Sequence, residues 1–240
     1  MAYHPTLETI KSYFPGNFRQ HLLRHRYGNI VDIALHGFRT RDIAVCVNIP
    51  AMLSPSEREF LFRLGKENNP ANGVIVEIGV YAGGSAYFLG KGAQISGSNV
   101  YGIDPFDTSL DIQEKTCDGS DYLQKKPSKS DVENTLQRKG LENVVLIEGF
   151  STDVLHDWQY GRISTLFIDG NHTQTMEDFH SALPHLASDA VVAFHDTNSS
   201  MHPNVDKSIG IIRKQYIHSN VESIDHLTVL YLNIAIQSIS

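Results

Sequence analysis

Cysteine is almost absent from this chain. Cys46 and Cys117 are the two in 240 residues, and neither has metal-binding spacing. That excludes a disulfide-stapled secreted module and a cysteine-built zinc site, and it points to a reducing compartment. A surplus of positive charge is lacking too. Lys and Arg number 20 against 27 Asp and Glu, a formal charge of -7. Such a balance argues against a nucleic-acid or anionic-membrane partner. No run approaches the ~18 apolar residues of a membrane span. The opening MAYHPTLETIKSYFPG is polar, carries Pro5 and Pro15 and has no apolar core, so it does not read as a signal peptide. Low-complexity tracts, internal repeats and Gly/Ser/Pro-rich linkers are missing as well. The expectation is a cytoplasmic protein built around one large α/β domain.

What the chain does have is a rhythm. VIVEIG (74–79), NVYGID (99–104), VVLIEG (144–149), TLFIDG (165–170) and AVVAFHD (190–196) are nearly unbroken aliphatic runs. Strands of that kind are buried on both faces, as in a parallel sheet covered by helices. Between them lie GSAYFLGKGAQI, SKSDVENTLQRKG, STDVLHDW and TQTMEDFHSALPHL, which read as helices. In the last, Met176, Phe179, Leu183 and Leu186 recur at helical spacing and predict one apolar face. Five β-α repeats imply a doubly wound sheet with right-handed crossovers.

Upstream, LSPSEREFLFRLGKE places Ser54 as N-cap, Pro55 at the first helical position and Glu57 in a capping box. Phe60, Leu61 and Leu64 of that helix are expected to cover the sheet edge. After the fifth strand come a helix at about 206–218 and a strand-rich end, VESIDHLTVLYLNIAI. Residues 1–53 show no clear period and read as an N-terminal segment or lid, through which a homo-oligomer would form.

The turn after the first strand, VEIGVYAGGSA, carries Glu77, Gly79, Tyr81, Gly83 and Ser85. Its glycines allow a sharp turn and leave room for a flat ligand over the strand ends. A dinucleotide fingerprint would read G-x-G-x-x-G, and Gly79-x-x-x-Gly83 does not fit it. A carboxylate at the mouth disfavours a diphosphate and favours a cation. S-adenosylmethionine, with a sulfonium and an ammonium, suits such a loop. One strand over, Asp104 ends VYGID, where an acid can accept both ribose hydroxyls; an ordinary acidic turn residue before Pro105 is the plain alternative. Phe150 and Ser151, after the third strand, are placed to border an adenine.

Glu77-x-Gly79-x-x-x-Gly83-x-Ser85, Asp104, FIDGNHT and AFHDT together resemble class I adenosylmethionine-dependent methyltransferases. Within that class they resemble the metal-dependent O-methyltransferase branch. It contains the macrolide-sugar and rhamnosyl O-methyltransferases and the cephalosporin-hydroxylase-type proteins. The resemblance covers about residues 54–200. It implies a Rossmann-like, mostly parallel seven-stranded sheet with helices on both faces, forming a methyltransferase domain over 54–240. It also implies an acceptor hydroxyl on a small natural product or sugar. Where the family turns on Pro-Gly-Gly before the fifth strand, this chain has Ser188-Asp189-Ala190.

Ligands of an open α/β sheet gather at the carboxyl ends of its strands. Asp169 and Asp196 therefore belong together beside the cofactor, Asp169 contacting both cofactor and metal. Two neighbouring carboxylates repel unless a cation joins them, and a divalent ion such as Mg²⁺ fits. His195 adds a nitrogen that also admits Mn²⁺, Fe²⁺ or Zn²⁺. Side chains alternate along a strand, so His195 and Asp196 meet one ion only if the strand is already ending. In the resembling sugar-methylating enzymes the position of His172 holds the general base. The chemistry agrees, because methyl transfer needs an aligned acceptor oxygen and a group to take its proton. A loop histidine before the next helix is the plain reading of His172. His202 lies near enough to the acceptor side to be a further candidate. Competing functions are an adenosylmethionine binder without transfer, a nicotinamide oxidoreductase and a metallohydrolase. The last two leave Glu77, the glycine loop and Asp104, or the paired strand ends, without a role.

Overall fold

The computed structural model describes residues 51–107, 111–115 and 121–234. The expectations for residues 1–50, for Cys46 and for Cys117 lie outside the described residues. The first described helix, α1 (Pro55–Glu67), starts on the capping box its sequence announces. The Ser54 hydroxyl accepts the Glu57 amide at 3.2 Å, and the Glu57 carboxylate accepts the Ser54 amide at 2.7 Å.

The sheet then assembles from β1 (Val74–Ile78), β2 (Val100–Asp104), β5 (Val144–Glu148), β6 (Ile163–Ile168) and β7 (Leu186–Phe194). The hairpin β8 (His218–Ile224) and β9 (Leu227–Leu232) closes one edge. The spatial order is β5-β2-β1-β6-β7-β9-β8, with β9 antiparallel to both neighbours and the other pairs parallel. Helices α2 (Gly84–Ser96), α3 (Lys129–Arg138), α4 (Ser151–His156), α5 (Thr175–Ala182) and α6 (Pro203–Gln215) link the strands. The chain runs outward from β1 to β5 and then jumps back to β6. The switch point between β1 and β6 is where such a sheet opens a crevice.

Three local outcomes differ from the sequence reading. A separate antiparallel hairpin, β3 (Asp111–Lys115) with β4 (Asp121–Lys125), follows β2 in a stretch with no strand signal. Helix α5 stops at Ala182, because Pro184 lacks the amide to continue it, and Leu186 begins β7 instead of extending the helical face. Ser188-Asp189-Ala190 consequently lie inside β7 rather than in a turn before it.

Helix α1 rests on α2 through paired glycines. A Cβ on Gly65 would come within 2.2 Å of the Leu89 carbonyl oxygen, and one on Gly92 within 2.0 Å of the Phe62 carbonyl oxygen. At the other face of α1, Arg63 pairs with Glu222 of the edge strand at 3.0 Å. Phe60, Leu61 and Leu64 are buried, as are Phe167 of β6 and Phe194 of β7. Each such side chain removed from water contributes about 1.5–3 kcal/mol. The carboxyl end of the sheet therefore stands on packed apolar strands.

Candidate active site

Register explains the paired Asp/His strand ends. Ile78 of β1 pairs with Ile103 of β2 on one side and Ile168 of β6 on the other, and Ile168 pairs with Phe194 of β7. The next residue on each strand is Asp104, Gly79, Asp169 and His195, so these four form one row along the sheet edge. The row is stitched by Gly79 N–H to the Ile103 carbonyl (2.9 Å), Asp169 N–H to Ile78 (2.8 Å) and His195 N–H to Ile168 (3.0 Å). Gly79, at φ 89°, is required for this closeness: a Cβ there would lie 2.2 Å from the Asp169 carbonyl oxygen.

The glycine loop turns tightly. Tyr81 adopts φ 49° and Gly83 φ 83°, and a Cβ on Gly83 would meet Val132 at 2.8 Å. An aromatic residue in the left-handed region marks a turn held by its surroundings. Part of that hold comes from Asp104. One of its oxygens accepts the Val80 and Tyr81 amides, both at 3.0 Å, and the other accepts the Phe106 amide at 2.7 Å and pairs with Lys126 at 2.6 Å. Four donors fill a carboxylate's usual sites. Glu77 is fully buried, with Ser85 donating to one oxygen and no hydrogen-bond partner for the other among the described residues. Burial, assisted by Asp169 and Asp104 and opposed by Ser85, pushes its carboxyl up to about 8. Phe150 stands 63% exposed where α4 begins, and the Ser151 hydroxyl donates to Asp178 of α5.

Past the ends of β6 and β7 the acid and imidazole groups interlock. His195 is buried, its Nδ1 3.0 Å from Asp169 Oδ1 and 3.5 Å from Asp196 Oδ2. Strand β7 has ended at Phe194, and Asp196 turns into the left-handed region at φ 57°, so consecutive side chains reach one point. Burial opposes charge on His195, but Asp169, Asp196 and Glu57 outweigh it and push the ring up to about 12. Burial likewise works against ionised Asp196, yet His172 and His195 hold it below the usual carboxylate range.

His172 Nε2 lies 2.6 Å from Asp196 Oδ2, and that hydrogen bond, against partial burial, raises the imidazole above its ordinary value. The ring of His202 stacks on His172 with centroids 3.7 Å apart. Burial and the neighbouring His172 lower His202. Two donor sets suit a cation among the described residues: Asp169, His195 and Asp196, and His172, Asp196 and His202. In each, the ligand atoms lie within 4.8 Å of one another. The first carries two carboxylates and a buried imidazole, a set that fits a divalent ion.

All the metal and base candidates thus converge, and the glycine loop lies in the same row. Sequence reasoning missed Glu57 as a member of the site. Its carboxylate stands 3.6 Å from His195 Nε2, and the capping box had already accounted for it.

This strand order, the glycine turn at the switch point and the acid at the end of the second strand are the arrangement that the resemblance to class I adenosylmethionine-dependent methyltransferases implies. The sequence profile of the family described as "Methyltransferase domain" matches residues 76–197, and the chain belongs to that family. Solved structures share its fold. The O-methyltransferase NovP superposes with a TM-score of 0.61 at 18% identity, over 75% of this chain and 81% of that one. CalS11, a calicheamicin methyltransferase, gives 0.56 at 14% identity over 95% and 94%. An O-methyltransferase from Bacillus cereus, in complex with S-adenosylhomocysteine, gives 0.52 at 16% over 90% and 96%. No curated protein matches the chain. No helix among the described residues is long and apolar enough to cross a membrane.

Proposed function

We propose that this methyltransferase transfers the methyl group to a hydroxyl of a small molecule, a sugar or other natural product, with a divalent ion at Asp169, His195 and Asp196 and His172 as general base. The observation that carries the reading is the junction of three strand ends. Asp169 lies against Gly79 of the cofactor turn, His195 bridges Asp169 and Asp196, and His172 is held by Asp196 at 2.6 Å. A carbon already activated as a sulfonium methyl leaves the protein two tasks, alignment and proton removal. The folds shared with NovP and CalS11, described as an O-methyltransferase and a calicheamicin methyltransferase, support an oxygen acceptor on a natural product.

Adenosylmethionine supplies the electrophilic methyl when bound. Glu77 and Ser85 would receive its cationic methionine end beside Gly79, Tyr81 and Gly83, with Asp169 at the same edge. Asp104 would accept a ribose hydroxyl at the oxygen Lys126 now occupies, and Phe150 and Ser151 would border the adenine. A divalent ion would acidify the acceptor hydroxyl and orient it. Asp196 takes the Nε2–H of neutral His172, leaving Nδ1 to accept the acceptor's proton.

The test has two steps. S-adenosylhomocysteine should raise the melting temperature and NADH should not. Methyl-labelled adenosylmethionine should then label a hydroxyl-bearing acceptor, and EDTA should abolish the transfer. Binding without transfer to any acceptor would identify a binding protein; transfer indifferent to EDTA would remove the metal from the mechanism.

A further inference from the structure

We propose that Glu57 is a positioning residue for the metal centre. Its carboxylate keeps the buried His195 ring turned with Nε2–H toward α1 and presents the Nδ1 lone pair to an ion shared by Asp169 and Asp196. The site is thereby biased toward a transition-metal ion over Mg²⁺. This rests on the metal site proposed above.

The ring of His195 is walled by carboxylates on both sides. Nδ1 faces Asp169 at 3.0 Å and Asp196 at 3.5 Å, while Nε2 is buried, has no hydrogen-bond partner among the described residues, and faces Glu57 Oε2 at 3.6 Å. An imidazole has one nitrogen for each wall. If Nδ1 gives its lone pair to an ion, the proton resides on Nε2 and needs an acceptor there. Glu57 Oε2 is the buried acceptor at hand.

Glu57 is also built to stay in place. It is 1% exposed, and its two oxygens accept the Ser54 amide at 2.7 Å and the His226 amide at 2.8 Å. His226 in turn is tied to the residue after Asp196: its carbonyl accepts the Thr197 amide at 3.0 Å. A capping box accounts for the Ser54 contact. It does not account for a fully buried carboxylate that joins the β8–β9 turn and faces an unpaired ring nitrogen. A carboxylate behind a ligating histidine fixes its tautomer and orientation and raises its basicity. A nitrogen so presented favours Mn²⁺ and later transition metals over a magnesium ion, which prefers oxygen.

The test is Mn²⁺ binding by the full chain, read by pulsed electron paramagnetic resonance, with Mg²⁺ as competitor. Wild type should bind Mn²⁺ more tightly than Mg²⁺ and show nitrogen modulation from a ligated imidazole, absent in His195→Ala. Glu57→Gln can keep the capping-box acceptor for Ser54 while losing the charge and the His226 contact, and should weaken Mn²⁺ binding by roughly 10- to 100-fold. Glu57→Asp, which keeps the charge but withdraws it, should weaken binding similarly. Ser54→Ala should lower the melting temperature and leave Mn²⁺ affinity unchanged. Unaltered affinity in both folded Glu57 variants would overturn the role of Glu57 while leaving the proposed function intact. A wild-type Mn²⁺ signal without nitrogen modulation, or no Mn²⁺ binding, would overturn this inference and the metal assignment together. Retained S-adenosylhomocysteine binding together with methyl transfer indifferent to EDTA would then show that the methyltransferase reading survives without the metal.

Discussion

At the scale of single residues, the site is a chain of alternating acids and imidazoles, and its protonation should be visible in solution. Asp196 raises His172 above the ordinary imidazole value. A base must be neutral to work, so the acidic limb of kcat/KM should lie above the usual histidine range; in the metal-free protein the His172 ring, followed by NMR, should titrate at lower pH in Asp196→Asn. His172→Ala should reduce turnover roughly 10²- to 10⁴-fold with S-adenosylhomocysteine affinity nearly unchanged. Full activity of that variant at neutral pH would remove His172 from the mechanism. Glu77 makes a second, independent prediction. Its folded pKa of about 8 lies above the ordinary glutamate value of 4.5, so in the free protein it holds a proton at neutral pH. Its contribution to stability is full below the unfolded pKa and is lost as pH rises toward the folded one. A cationic ligand favours the ionised form. Binding near pH 7 should therefore release a proton and strengthen as pH rises toward 8. Calorimetry in buffers of different ionisation enthalpy measures that proton, and its absence in Glu77→Gln would confirm the source.

At the scale of elements, much of the structure was legible because it rests on local signals. The continuous aliphatic runs gave the five parallel strands to within a few residues, and Ser54 with Glu57 gave the start of α1. What stayed hidden depends on contacts between elements. The β3–β4 hairpin has no alternating pattern to announce it. Pro184 cut short a helix whose apolar spacing continued past it. The convergence of His195 and Asp196 depended on β7 ending at Phe194 and on a left-handed turn at Asp196, neither of which spacing alone supplies. The α1–α2 crossing is another such contact. Gly65→Ala or Gly92→Ala would press a methyl group into the facing backbone, since the added Cβ would lie 2.2 Å or 2.0 Å from a carbonyl oxygen. Either should destabilise the fold by about 1–3 kcal/mol in a denaturant titration.

At the scale of the whole molecule, the two ends of the sheet do different work. At the end opposite the site, Asn68 gathers the fold: its amide donates to Gly73 and Ser98, and its oxygen accepts Ser164 and Thr165. Asn68→Ala removes the shared partner of these groups, leaves the Thr165 hydroxyl without the acceptor it uses, and should cost about 1–3 kcal/mol of stability in chemical unfolding, with unchanged S-adenosylhomocysteine affinity in the folded state. The carboxyl end concentrates the unsatisfied groups, Glu77 and His195 among them. The family match at 76–197 spans that edge from Glu77 to Thr197 and stops short of both α1 and the β8–β9 hairpin. Those flanking elements supply Glu57 and the His226 amide, so this part of the site lies outside the span the family profile covers.

The central claim is that cofactor turn and metal centre are neighbours on one sheet edge. Anomalous diffraction at the manganese edge, from crystals grown with S-adenosylhomocysteine and Mn²⁺, tests it most directly. The account predicts one anomalous peak bounded by Asp169, His195 and Asp196, with the cofactor lying over Gly79–Gly83 and Lys126 withdrawn from Asp104. A peak bounded instead by His172, Asp196 and His202, or cofactor density away from the glycine turn, would contradict it.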